Sequence, residues 1–397
     1  MTVGCCGTPA ANQNRMTSEL SNFAARLRDF IYSGFPRHNF NALALELFTL
    51  QFKHNAAYCV LCEACGRTPE SVEHWTQIPA APTVAFKEWE LTSLAPNERT
   101  AVFHSSGTTE QKPSRHFHNA QSLAVYEASL WTGFEQNVLA GSEFRIQSSK
   151  LMVLTPPPEQ VSHSSLVHMF EVVRQKLGGM SVPASTPEFL GRLAADGTWA
   201  LDFTAALAAL GSNSKFKIQN SKLILGTAFS FVHLLDFLTE KNLRFQLPDN
   251  SRIVETGGYK NRSRAMPKAQ LHALITKRLG VARENIICEY GMSELSSQAY
   301  DLKIQNPKSK IQSRTFHFPP WARVQVVAPE NGREVAESET GLIRVFDLAN
   351  VFSVAAIQTE DLGIRRGDGF ELIGRTQPAE PRGCSLMTVE TRHSQTG

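Results

Sequence analysis

The sequence predicts an α/β fold with largely parallel strands, continued by a β-rich C-terminal subdomain. Two textures predict it. From about residue 100, short β-rich runs ("TAVFHSS", "KLMVLTP", "KLILGTAF", "SRIVETGG", "ENIICEYG") alternate with helical periods near 120–137, 164–178, 202–211, 230–242 and 266–279. Alternation of this kind builds a parallel sheet covered by helices, and such sheets gather ligands at the C-terminal ends of their strands. After about residue 310 the helical periods stop, and "RVQVVAPENGREV", "GLIRVFDLAN", "VAAIQTEDLG" and "FELIGR" read as hairpins.

Residues 1–16 lack the basic flank and apolar centre of a signal peptide and read as a flexible leader. "TSELSNFAARLRDFIYSG" reads as a capped amphipathic helix ended by Gly34. "HNFNALALELFTLQFKHNAAYCVLCEACG" reads as one long helix closed by Gly66. The expected organisation is a leader (1–16), an α/β core (17–310), a β-rich subdomain (311–375) and a short tail (376–397).

Bulk properties exclude several function classes. Of 397 residues, 42% are hydrophobic and 19% charged, which places the chain among globular proteins. A net charge of +3 with no long Lys/Arg run gives no electrostatic footprint for nucleic acid. The longest apolar stretch, "LILGTAFSFVHLL", is too short and too polar to span a bilayer, and a cytoplasmic location is expected. Seven cysteines, an odd number, argue against a disulfide framework. Cys59, Cys62 and Cys65 have metal-ligand spacing, but on a helix they share a face, where packed thiols are the expected outcome. G-x-S-x-G, H-E-x-x-H and G-x-G-x-x-G are all absent, so hydrolase, zinc-protease and Rossmann readings lack support.

Three stretches carry chemistry. "VFHSSGTTEQKPSRHF" sets Ser105, Ser106, Gly107, Thr108 and Thr109 between an expected strand and an expected helix, with Lys112, Arg115 and His116 behind them. Small hydroxyl and backbone donors in that position suit a phosphate, although the Walker A spacing is missing. "ICEYGMSELSS" sets Tyr290, Gly291, Ser293 and Glu294 in a turn after a strand: an aromatic face for a base, a hydroxyl for a phosphate, a carboxylate for Mg²⁺. "QTEDLGIRRGDGFELIGR" sets Asp361 before a hairpin closing on Arg375, a carboxylate and a cation suited to ribose hydroxyls and phosphates. The first stretch favours a phosphate over a polar surface turn; the second and third, each taken alone, read equally well as turn chemistry.

In this order they resemble the adenylate-forming superfamily of acyl-CoA synthetases, adenylation domains and luciferases. "FNALALELF", "IPAAPTVAFKEWEL", "SSGTT…SRH", "ETGGYKNR" and "PRGCSL" bring the chain nearer to the acyl-protein synthetases of bacterial bioluminescence, the LuxE-like family, over residues 20–390. The resemblance implies an adenylate-forming fold with mixed and parallel sheets flanked by helices. It implies a phosphate loop for ATP at Ser105, Ser106, Gly107, Thr108 and Thr109, and adenine-site glycines at Gly257 and Gly258. Tyr290 would flank the adenine, Ser293 would reach the α-phosphate, Glu294 would bind Mg²⁺, Asp361 would hold the ribose, and Arg375 would end the large domain. Only 22 residues follow Arg375 in this sequence, so the superfamily's mobile C-terminal domain is expected to be missing. The LuxE-like resemblance implies instead that Cys384, in the tail, takes the acyl group from the adenylate. The substrate implied is a fatty acid, and the implied acceptor of the acyl group is a partner acyl reductase. A free-standing acyl- or aryl-CoA ligase and a non-catalytic nucleotide-binding scaffold are the alternatives.

Overall fold

A computed structural model describes residues 10–105, 112–140, 149–178, 188–195, 197–211, 220–257, 266–303 and 314–375. Helix α1 (Ala10–Ser33) buries Leu20, Phe23, Leu27 and Ile31, a stripe at three- and four-residue spacing, and stops at Gly34 with φ +112°. The long helix expected next is two helices, α2 (Phe40–His54) and α3 (Ala56–Ala64). Asn55 breaks it: its extended backbone (φ −113°, ψ 93°) frees the side chain to cap Tyr58 N at 3.2 Å. Gly66, at φ +65°, closes α3 as expected, with Arg67 N–H returning to Cys62 O.

A short strand β1 (Ala81–Pro82) and a helical turn α4 (Ala85–Glu88) lead to the hairpin β2 (Ala101–His104) and β3 (Arg115–His118). The α/β alternation follows: α5 (Ala120–Phe134), β4 (Lys150–Val153), α6 (Ser165–Gly178), the hairpin β5 (Gly191–Leu193) and β6 (Trp199–Leu201), α7 (Phe203–Leu210), β7 (Lys222–Thr227), α8 (Ala228–Glu240), β8 (Arg252–Thr256), α9 (Lys268–Leu279) and β9 (Ile286–Tyr290). The C-terminal strands are β10 (Ala299–Lys303), β11 (Arg314–His317), β12 (Ala322–Val327), β13 (Thr340–Asp347), β14 (Ala356–Arg366) and β15 (Gly369–Arg375).

One eleven-stranded sheet holds most of these, in the order β12-β13-β14-β15-β11-β10-β9-β8-β7-β4, with β1 added parallel to β14. Strands β4, β7, β8 and β9 are mutually parallel, as the alternation predicts, and their near-continuous Ile, Leu and Val content reflects burial on both faces. Helices α5 and α6 cover one face through Leu130, Phe134, Phe170 and Val173; α8 and α9 cover the other through Phe231, Leu235, Leu271 and Ile275. From β10 onward the pairing is antiparallel, and the N-terminal segment closes this half, with Phe40 of α2 and Trp75, beyond α3, packing edge-on against Phe346 of β13. The carbonyls of Asn350 and Val351 take the Gln51 amide at 2.7 and 3.2 Å, and Gln51 accepts from Ala355 N–H, tying chain start to chain end.

Candidate active site

Tyr290 and Gly257 stand at adjacent C-terminal strand ends, because β8 and β9 pair in parallel with Thr256 opposite Glu289. Gly257 takes φ +70°, which turns the chain off the sheet at a conformation a side chain resists. The Tyr290 ring is gripped edge-on by Phe316 and Phe370, with Phe318 beyond, and its hydroxyl donates to Asp361 Oδ2 at 2.9 Å. Burial, reinforced by the Asp361 charge, pushes that phenol well above its ordinary range, so it stays a donor.

Asp361 is fixed by its own strand. Its N–H donates to Thr359 Oγ1 (3.1 Å), whose hydroxyl donates to Ile343 O. The hairpin β14–β15 carries a bulge: Gly363 pairs with Leu372, but Leu362 pairs with Gly374, leaving Ile373 as the extra residue. Gly374 accommodates it at φ +148°, and Ile373 projects outward, 53% exposed. The extra residue brings Arg375 opposite Asp361, where Nε lies 3.4 Å from Oδ1. Three residues singled out from the sequence thus meet at one carboxylate.

The turn after β9 is held from four sides. Ser293 Oγ donates to Glu294 Oε2 (2.9 Å), and both residues are buried. His116 Nδ1 bonds Ser293 O at 2.9 Å, so this nitrogen carries the proton, and burial drops the imidazole pKa to about 4. Asn350 Nδ2 donates to Glu294 O at 2.9 Å. Asp347, fully buried, accepts from Ser296 N–H (2.9 Å), the Ser297 hydroxyl (2.7 Å) and Ala349 N–H (2.9 Å). Trp321 Nε1 donates to Ser129 Oγ, whose hydroxyl in turn donates to Ser297 Oγ. Burial pushes Asp347 up to about 6 despite these donors. Beside the turn, burial also pushes Glu289 up to about 7; the Thr256 hydroxyl donates to it, and Gly291 leaves the room its carboxylate occupies.

The hydroxyl-rich loop differs from expectation. A second strand, β3, follows it, so its described ends belong to a β-hairpin and no helix starts directly behind it. Ser105 closes the hairpin, its Oγ accepting from Ser114 N–H and Oγ at 2.9 Å each. Ser106, Gly107, Thr108 and Thr109 lie outside the described residues, as do Gly258 and Cys384. The basic cluster behind the loop is also largely engaged: Lys112 pairs with Glu88 (3.6 Å), Arg115 with Glu90 (3.2 Å), and His116 is neutral. His163 stacks on His104 at 4.6 Å, and Ser164 caps α6 through Val167 N–H.

Asp347, Asn350 and Glu289 were not singled out from the sequence as site residues, and His116 was noted only as part of the basic flank behind the hydroxyl-rich loop. "FDLAN" reads as a strand end, and no local pattern says that its carboxylate faces another turn. Cys59 and Cys62 are buried on α3, and Cys65, its C-cap, is exposed; burial pushes Cys62 up to about 12.

Comparison with known proteins shows the family and the fold. The family model "Acyl-protein synthetase, LuxE" matches residues 8–392. A long-chain-fatty-acid–luciferin-component ligase of Aliivibrio fischeri is 28% identical over 186 residues, 43% of this chain and 47% of that one, so this match spans about half the relative. The enzyme of the same name from Vibrio harveyi is 22% identical over 386 residues, 92% of this chain and 94% of that one. Among solved structures, 2-hydroxyisobutyryl-CoA ligase with its acyl-adenylate and CoA superposes with a TM-score of 0.57 at 12% identity, over 84% of this chain and 74% of that one. The same ligase in its postadenylation state gives 0.58, over 84% and 67%. At such identity these structures establish the fold, that of the adenylate-forming ligases. With a family model covering nearly its whole length, the chain belongs to the LuxE family of acyl-protein synthetases.

Proposed function

We propose that this protein activates a long-chain fatty acid with ATP and carries the acyl group as a thioester on Cys384 for transfer to a partner acyl reductase. The observation that carries the activation step is the meeting of Tyr290 and Arg375 on Asp361, at the C-terminal ends of the parallel strands. Each Asp361 oxygen keeps a lone pair free for a ribose hydroxyl, and the carboxylate is held rigidly, so little ordering remains to be done on binding. The relatives' names, which specify long-chain fatty acids, support the substrate class.

In the first half-reaction a carboxylate oxygen of the acid attacks the α-phosphorus of ATP, and pyrophosphate leaves with the bridging electron pair. The product is a mixed acyl–phosphate anhydride. On nucleotide binding the Ser293 hydroxyl, which donates to Glu294 in this structure, would turn to the α-phosphate. Glu294 fits a metal: it is buried, accepts a hydroxyl, and pairs with no Lys or Arg among the described residues. Mg²⁺ bound there would offset negative charge on the phosphates. The neutral His116 fixes the backbone of this turn without adding charge to it. In the second half-reaction the Cys384 thiolate attacks the acyl carbonyl, the carbon–oxygen bond to phosphate breaks, and AMP leaves.

Intact-protein mass after incubation with Mg²⁺, ATP and fatty acids, without CoA, tests the proposal. An ATP-dependent, hydroxylamine-labile acyl increment is expected, lost in Cys384→Ala while ATP–pyrophosphate exchange continues. Pyrophosphate release with no mass increment would sink the transfer step, and absence of both would sink the activation step.

A further inference from the structure

Behind the strands that carry Gly257 and Tyr290 lies a second group of reactive side chains that no step above uses. Glu255 on β8 and Cys288 on β9 are register partners, so they leave the sheet on the same face, and α9 lays His272 across them. Glu255 Oε2 is 2.9 Å from Cys288 Sγ and 3.4 Å from His272 Nε2, and Sγ is 3.5 Å from that nitrogen. All three are buried, in a layer whose neighbouring positions are Ile253, Leu271, Ile275 and Ile286, each fully buried. A carboxylate, an imidazole and a thiol in such a layer are costly to desolvate unless they share something.

We propose that Glu255, His272 and Cys288 form a binding site for one thiophilic divalent cation of the Zn²⁺ class, separate from the Mg²⁺ position at Glu294. Donors about 2.0–2.3 Å from a tetrahedral zinc stand roughly 3.3–3.6 Å apart. Two of the three separations here already match, and the third is an S–H···O hydrogen bond that opens when the cation replaces its proton. Thiolate, carboxylate and neutral imidazole together carry two negative charges, the complement of a divalent ion. A thiolate with an imidazole selects zinc over magnesium.

On binding, the thiol proton leaves to solvent as the metal–sulfur bond forms. His272 binds through Nε2, which moves its ring proton to Nδ1, an atom with no hydrogen-bond partner among the described residues. Lys268, at the start of α9, is the cation that now faces the cluster: it pairs with Asp301 at 3.1 Å and also interacts with Cys288 and Glu255, so the incoming ion would take over its place beside the thiolate. Glu255 and Cys288 each precede a nucleotide-site residue by two positions, so the ion would stiffen the strand ends that carry Gly257 and Tyr290.

The test uses the full-length protein, stripped by a chelator and freed of it, titrated with Co²⁺ and Zn²⁺ without Mg²⁺. One equivalent of Co²⁺ with a thiolate-to-metal charge-transfer band, displaced by one equivalent of Zn²⁺, is expected. The band and the equivalent are lost in Cys288→Ser and His272→Gln and kept in a Cys59→Ser/Cys65→Ser variant. Circular dichroism and thermal melts check folding, and Glu255→Gln, which keeps the shape of the side chain, replaces any variant that does not fold. Failure of the parent protein to take up the equivalent overturns the proposal. So does its retention in folded Cys288→Ser and His272→Gln, or its loss with Cys59 and Cys65.

Discussion

Replacing Asp347 by asparagine separates what its charge does from what its shape does. The carboxylate is fully buried, and burial raises it to about 6, against an ordinary value of about 3.9. The folded protein therefore holds this proton more tightly than the unfolded chain. The associated stability is complete below about pH 4 and is lost as pH rises through about 6. The difference between the two values amounts to about 3 kcal/mol, of which about half falls between pH 5 and 7.5. Asparagine removes that slope. It keeps an acceptor for the Ser297 hydroxyl and Ala349 N–H, but turns an amide against Ser296 N–H, stranding a buried donor at about 1–3 kcal/mol. At pH 7.5 the two changes nearly cancel, so Asp347→Asn lies within about 2 kcal/mol of the parent, whereas Asp347→Ala strands all three donors and is less stable than Asp347→Asn. Urea unfolding at pH 5, 6 and 7.5 measures this. Parent and Asp347→Asn stabilities that run parallel across the range, within about 0.5 kcal/mol, would refute the burial argument. Pyrophosphate exchange by Asp347→Asn is expected to fall because the stranded Ser296 N–H loosens the turn carrying Glu294.

Other outcomes follow from the same geometry. Asp361→Asn removes a carboxylate that accepts from Tyr290 and Arg375, and the KM for ATP in pyrophosphate exchange rises about 10- to 100-fold, from roughly 1.5–3 kcal/mol. Gly374→Ala forces a side chain onto φ +148°, costs about 1–3 kcal/mol in chemical denaturation, and weakens ATP binding by shifting Arg375 off Asp361. Glu289, raised to about 7 by burial, lends stability that is lost as pH climbs from 4.5 to 7, so Glu289→Gln flattens that part of the unfolding profile. Thiol labelling of the native protein, read by peptide mass, modifies Cys65 quickly and leaves Cys62 and Cys288 protected until the chain unfolds.

The parallel half of the sheet was legible because its strands are apolar on both faces and its helices keep their period, from "KLMV" to "IICEY". The candidate site shows in the sequence as short stretches: Tyr290 and Arg375 end strands β9 and β15, while Asp361 lies mid-strand in β14 and meets Arg375 only through the register of that hairpin. Strand β3 was hidden because its pattern is inverted: "RHFH" buries His116 and His118 and leaves Phe117 outward, where Arg99 covers its ring at 4.4 Å. Strand β10 hides a fully buried Asp301 within "AYDLK", and Asn55 breaks a helix whose apolar period runs straight through it. In each case a polar side chain is buried by a partner far along the chain, and no local window contains that partner.

The join between Gln51 and Ala355, 304 residues apart, has a consequence during synthesis. At about 5–20 residues per second, roughly 15–60 s pass between the emergence of the two partners. Through that interval helices α2 and α3 lack the C-terminal strands they close against, and Phe40, Leu47 and Phe48, each at most 2% exposed in the finished fold, lack that part of their cover. Nascent chains stalled short of residue 355 should therefore bind chaperones through their first helices, and a ribosome-released fragment of that length should aggregate.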